Sequence, residues 1–332
     1  MNWFSHGFME KGQRKDFGCV KLNSSDVVVL GGKREYEGLQ DCDFFNLETK
    51  RWSEGPTLPV EMAYCRAVVV DDCIYAIGIY KDFYKMRLNK KNMGWQRLPS
   101  LKVDGYGCEL VSDKKRYIYL IGDNKTRSCI HKYDTFENRW RILPVMENGR
   151  DLTQAVYVDG EIYVIGGRAG ETGETAMNDF DIFDTATKTW RMGPEVPKRM
   201  YGHSATVVGK FIFVCGGQRY PGSKPSANCF VFDIDCQEWI TLETSLPERV
   251  TGHSSVSWGM SVFILGGSSG DSHETHHIYM RRINQEILPE AFALGSSSNS
   301  GKSTRSRHSE RHRRPGTVKS LRRCLTRRFS ML

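Results

Sequence analysis

An all-β fold is predicted for this 332-residue chain: a six-bladed β-propeller with four antiparallel strands to a blade. Three features predict it. Apolar runs that end in glycine recur about every fifty residues, tryptophans keep step with them, and β-branched and aromatic stretches alternate with turn residues at the short spacing of all-β folds.

The runs are VVVLGG at Gly31 and Gly32, IYVIGG at Gly166 and Gly167, FVCGG at Gly216 and Gly217, and VFILGG at Gly266 and Gly267. IYAIG at Gly78 and IYLIG at Gly122 keep the first glycine, with Ile79 and Asp123 in the second place. Successive first glycines are 47, 44, 44, 50 and 50 residues apart, so six copies of one unit cover nearly all of the chain before its tail. Trp52, Trp95, Trp140, Trp190 and Trp239 follow, each six residues after Asn46, Asn89, Asp134, Asp184 or Asp233. Short polar side chains of this kind close tight turns by accepting bonds from nearby backbone N–H groups, so each marks a turn between two strands.

A further strand begins thirteen residues before the glycine, most legibly GHSATVV at His203, GHSSVSW at His253 and CRAVVV at Cys65. Each unit is therefore an inner strand, a second ending at the glycines, a third rich in Phe and Tyr, and an outer one carrying Trp. A four-stranded meander cannot bury both faces alone, and radial packing of six solves that while hiding most strand edges. On this reading the glycine pairs let blades approach closely, the tryptophans fill the seams between blades, and His203 and His253 belong to the strand pattern.

Unit six lacks an outer tryptophan, its segment reading NQEILPE. Trp3 stands 14 residues before Phe17, as Trp52 stands 13 before Cys65 and Trp239 stands 14 before His253. Residues 2–6 are thus expected to cross the seam as the fourth strand of blade six. The expected organisation is a propeller over 1–293, a disordered Ser/Arg-rich linker over 294–317 and a basic amphipathic segment over 318–332.

Through its glycine pairs, the aromatic positions after them and the spaced tryptophans, the stretch from 17 to 290 resembles the kelch-repeat β-propeller family, the kelch-like proteins. The resemblance implies a non-enzymatic protein-interaction module, a scaffold or substrate-recruiting adaptor that binds through its loop face. It implies a protein partner, such as a ubiquitin-ligase component or a cytoskeletal protein. In kelch adaptors of ubiquitin ligases, loop-face arginines capture acidic peptides. Arg168, directly after a glycine pair, matches one of these, and Lys33 does so loosely. The arginine those adaptors place nearer the inner strand is here Gly202 and Gly252, and no cullin-recruiting domain of the BTB type is expected before the propeller, so a ligase role needs another subunit. The alternative is a small-molecule enzyme at the channel mouth, mutarotase-like or oxidase-like. A mutarotase would need an Arg and a carboxylate there for acid–base ring opening. An oxidase would need two Tyr, two His and a Tyr-Cys link around copper, whereas His273, His276 and His277 cluster in one loop without an evident fourth ligand. No catalytic residue, cofactor or metal is expected.

Binding residues are sought in the loops joining second to third strands, which are long in units four (168–179), five (218–228) and six (268–277) and almost absent in unit two. The candidates are Lys33, Arg34, Arg168, Arg219 and Tyr220, with Arg150 and Arg199 before the inner strands. Arg14, Arg199 and Arg249 all stand seventeen residues before a first glycine, Arg150 one residue out of step.

The chain has a net charge of +8, but the last 37 residues alone carry +10 and the rest −2, so the folded body needs no anionic partner and no specific nucleic acid. The tail contains Thr317 as a helix cap, then Val318, Leu321, Leu325, Phe329 and Leu332 at helical spacing among basic residues. Anionic membrane, a calmodulin-like protein and import receptors are its expected contacts. No secretory signal or membrane span is visible, and ten cysteines without a C-x-x-C pair read as reduced thiols, so a cytoplasmic location is expected, with nuclear entry through the tail.

Overall fold

A computed structural model describes residues 2–23, 25–88, 94–122, 128–169, 175–270 and 275–283. The linker and amphipathic segment expected over 294–332, together with Asn89 and His273, lie outside the described residues. Among the described residues every regular element is a strand.

Five blades are sequential four-stranded meanders. Blade one runs Gly18–Lys21, Asp26–Leu30, Cys42–Asn46 and Trp52–Glu54; blade two runs Arg66–Val70, Cys73–Ile77, Phe83–Arg87 and Trp95–Arg97. Blade three runs Glu109–Ser112, Tyr117–Ile121, Ile130–Asp134 and Arg139–Leu143; blade four runs Gln154–Val158, Glu161–Ile165, Phe180–Asp184 and Thr189–Met192. Blade five runs Tyr201–Val208, Phe211–Gln218, Cys229–Asp233 and Glu238–Thr241. Blade six takes Ser254–Trp258, Ser261–Leu265 and His277–Arg282 from the end of the ring and Phe4–Phe8 from its start. This N-terminal strand pairs antiparallel, Phe4 opposite Met280 and Phe8 opposite His277. Trp3 packs edge-on against Phe213 of blade five, with ring centroids 6.1 Å apart.

The turn residues do what their chemistry suggests. Asn46 Oδ1 accepts from the backbone N–H of Glu48 and Thr49, and Asp134, Asp184 and Asp233 accept in the same way from the residues two and three further on. Each outer tryptophan reaches the preceding blade. The indole N–H of Trp52 donates to Phe8 O at 2.9 Å, and those of Trp95, Trp140, Trp190 and Trp239 donate to the carbonyls of Pro56, Pro99, Pro144 and Pro194 at 2.8–3.2 Å. The rings thus seal seams whose interiors are apolar. One such interior joins Val28, Leu30 and Cys42 of blade one to Ile74, Tyr84 and Met86 of blade two.

The glycine pairs carry the other blade-to-blade link. The second glycine donates its N–H to a carbonyl just before the next inner strand: Gly32 to Met62, Gly167 to Met200, Gly217 to Val250 and Gly267 to Arg14, each at 2.8 Å. The last of these closes the ring. A Cβ on Gly216 would come within 2.4 Å of the His253 ring and 2.6 Å of Val250 O, at φ +72°, so only glycine lets these backbones meet.

Candidate functional site

The loops between second and third strands share one face with the segments that lead into the inner strands. Around blades four and five they enclose a cleft of about 470 Å³ lined by Asn178, residues 197–200, Gly216 to Arg219, Lys224 to Ser226, Asn228 and Arg249. Five cations line it, Lys198, Arg199, Arg219, Lys224 and Arg249, all exposed, and no acidic residue is among the described lining residues.

The walls are braced by their own backbone. Ser226 N donates to Gly217 O, Val250 N to Ser226 O and Gly217 N to Val250 O, while Arg249 Nη1 donates to Pro225 O at 3.3 Å. Within the blade-five loop, Gln218 Nε2 donates to Ser223 O, and Ser223 Oγ accepts from the N–H groups of Arg219 and Tyr220. The charges therefore stand on an ordered frame. Such a frame presents the charges without the cost of first folding the loop.

Arg199 and Arg219 meet in the cleft, and Tyr220, 60% exposed, stands beside Arg219. Lys33 and Arg168 lie elsewhere on the face, beside the central channel. Lys33 Nζ bonds Tyr64 Oη at 2.7 Å and pairs with Asp16 at 3.2 Å. Arg168 is bidentate on the fully buried Asp151, through Nε to Oδ1 at 2.9 Å and Nη2 to Oδ2 at 3.1 Å, and lies over the Tyr201 ring. Burial works against its charge, and the Asp151 and Tyr106 bonds outweigh it, so its pKa rises. Arg34 is spent on the carbonyls of Gln13 and Lys11.

Arg150 needs a correction. It is 0% exposed, with Nη1 2.6 Å from Asp181 and Nη2 on Val164 O, so it presents nothing to a partner. Arg14 is buried in the same way on Asp43, at 2.9 Å. Counting from the glycines hid the equivalence. In blade one Gly18 pairs with Leu30 and in blade four Gln154 pairs with Ile165, so the first hairpin is one residue longer. Arg14 and Arg150 each stand four residues before the inner strand, as Met62 and Val250 do, and Met200 stands four before Ser204, which pairs with Cys215 as Gln154 does with Ile165. Arg199 and Arg249 stand one residue earlier and are exposed. Lys198 and Lys224 were not singled out from sequence. Lys198 directly precedes Arg199, a doubled charge in a connecting loop that could have marked it.

A space of about 160 Å³ lies in the channel between the inner strands. Arg66 Nε pairs with Glu109 Oε2 at 3.0 Å, Gln154 Nε2 donates to the same oxygen, and Leu110 N donates to Oε1. Burial still raises the Glu109 carboxyl above its usual range. His203 and His253 also line this channel. Burial, with the second histidine beside it, pushes His203 down to about 3. Below pH ~6.5 the unfolded chain then binds the proton and the folded one does not, so stability is full above that pH and falls as pH drops toward 3, by about 1.4 kcal/mol per unit. Denaturant titrations at pH 7 and 5 are expected to differ by about 2 kcal/mol from this group, and His203→Gln should remove that part of the difference. Of the loop histidines, His277 Nδ1 contacts Glu248 and Tyr279, and His276 packs on Phe8.

Six four-stranded blades, glycine-mediated contacts and tryptophan-sealed seams define a kelch-type propeller. The KLHDC2/KLHL20/DRC7 Kelch-repeats domain model matches residues 105–309, and the chain belongs to that family of kelch-repeat domains. It is similar to Kelch-like protein 41b of Danio rerio, 27% identical over 184 residues, and to Kelch-like protein 23 of Homo sapiens, 27% identical over 180, each match covering 50% of this chain and 30% of the relative. An F-box/kelch-repeat protein of Arabidopsis thaliana is 26% identical over 154 residues, covering 41% of this chain and 43% of the relative. The chain thus matches less than half the length of these curated relatives.

Proposed function

We propose that this propeller is a protein-recognition module that holds an acidic segment of a partner protein in the cleft at blades four and five, acting as a scaffold or as the substrate-recruiting part of a larger assembly. The observation that carries this reading is the convergence of Lys198, Arg199, Arg219, Lys224 and Arg249 on one braced cleft with no acid among its described lining residues. Tyr220 offers an aromatic contact at its edge, and Arg and Tyr are favoured anchors at interfaces. Family membership adds the recruiting role, toward a ubiquitin-ligase component or a cytoskeletal protein.

Fluorescence anisotropy with a labelled Asp- and Glu-rich peptide tests it. Binding is expected to weaken with added salt, and Arg219→Glu combined with Arg249→Glu should weaken it about tenfold or more while the circular dichroism spectrum stays unchanged. Equal affinity in the folded double variant would reject the cleft.

A second reading, acid–base chemistry in the channel, draws on the Arg66–Glu109 pair. It has less support, because Arg66, Gln154 and Leu110 already occupy both Glu109 oxygens.

A further inference from the structure

Among the described residues eight cysteines are free thiols. Two of the free thiols face each other. Cys215, at the end of the second strand of blade five, is the register partner of Cys229, which opens the third. Gly216 N donates to Asn228 O at 3.1 Å, so the neighbouring pair is the hydrogen-bonded one and Cys215 with Cys229 is the non-bonded one. At such a position the Cα atoms stand about 4.5 Å apart with side chains on the same face, inside the range a disulfide spans.

The surroundings favour a reactive sulfur. His253 Nε2 lies 3.5 Å from Cys215 Sγ and 2.9 Å from Ser204 Oγ, and Ser204 Oγ lies 3.4 Å from the same sulfur. Burial works against the Cys215 thiolate, but hydrogen bonds from Cys229, His253 and Ser204 override it and hold its pKa below the usual thiol range. Cys229 is pushed the other way, by its bond to Cys215 and by burial, so one sulfur is the nucleophile and the other keeps its proton. Burial pushes Cys65 and Cys42 up to about 12, aided at Cys42 by the neighbouring Asp43 charge. Cys215 is itself buried, while the next residue, Gly216, lines the cleft and His253, which contacts its sulfur, lines the channel.

We infer that Cys215 and Cys229 form a peroxide-oxidised, reversible disulfide across blade five, a modification site independent of the peptide-binding reading. The Cys215 thiolate attacks one oxygen of hydrogen peroxide, the O–O bond breaks, and the departing hydroxide takes a proton to leave as water. Cys229 sulfur then attacks the Cys215 sulfenic sulfur, the S–O bond breaks, and hydroxide leaves with the Cys229 proton as a second water. Two thiols are oxidised and one peroxide is reduced to two waters.

The test is brief exposure of the full chain to hydrogen peroxide, alkylation of remaining thiols under denaturing conditions and digestion without reductant. The expected result is a peptide linked through Cys215 and Cys229 that dithiothreitol releases, with Cys42 and Cys65 still alkylated. In Cys229→Ser, Cys215 should instead be trapped as a dimedone adduct, and in His253→Gln the linkage should form about tenfold more slowly or worse. The native chain decides the matter even if a variant fails to fold. Cys215 and Cys229 alkylated as fully as Cys42 and Cys65, or a linkage that forms only after denaturant is added, would overturn the inference.

Discussion

Deleting residues 1–8 is expected to lower the thermal midpoint by about 8 °C. The deletion removes the ladder between Phe4–Phe8 and His277–Arg282, the Trp3 contact with Phe213, the His6 ring bond to Leu47 O at 2.7 Å, and the Phe8 carbonyl that accepts from Trp52. A half-buried indole and several backbone bonds together amount to something on the order of 5 kcal/mol. The loss also leaves the third strand of blade six as an open edge, so the truncated chain should aggregate on heating. Trp3→Ala should fall between the two, since it removes the ring but leaves the ladder. Differential scanning calorimetry of the three proteins gives the order, and a truncated chain that melts with the full one would show that the first and last blades are not joined through this strand.

Arg150→Ala is expected to cost about 3–5 kcal/mol and to leave peptide affinity untouched in whatever fraction folds. The substitution leaves Asp181 with little solvent and no counter-charge, and frees Val164 O. The other blades suggest how the site could be rebuilt. At the equivalent places, Met62 shares an apolar cluster with Tyr84, and Met200 shares one with Phe230. Arg150→Met combined with Asp181→Phe should therefore recover most of the loss, because a buried pair replaced whole by apolar groups is often neutral. Urea titration of the single and double variants checks this, and a single variant as stable as the native chain would return Arg150 to the list of surface residues.

The contrast between what the sequence revealed and what it hid has a physical basis. Glycines at 31, 166, 216 and 266, the tryptophans and the turn residues Asn46, Asp134, Asp184 and Asp233 recur because the contact each makes is repeated in every blade, so periodicity exposes fold and blade number together. The cleft is made once. Arg249 shares a repeat position with Arg199, but Lys198, Arg219 and Lys224 have no counterpart of that kind, and only the register of the strands beneath brings the five together. Arg150 was misplaced for the same reason, since one extra residue in the hairpin of blade one shifted a count that only strand pairing can anchor. The opposition of Cys215 and Cys229 likewise depends on which residue faces which across the ladder, which spacing along the chain does not fix.

The central claim is that the loop face at blades four and five, and not the channel or the tail, is where a partner binds. Hydrogen exchange of the full chain with and without the acidic peptide tests it most directly. The account expects slowed exchange at 197–200, 216–228 and 249–250, with the inner strands unchanged. Protection confined to the channel strands around Arg66 and Glu109, or to residues 294–332, would contradict it.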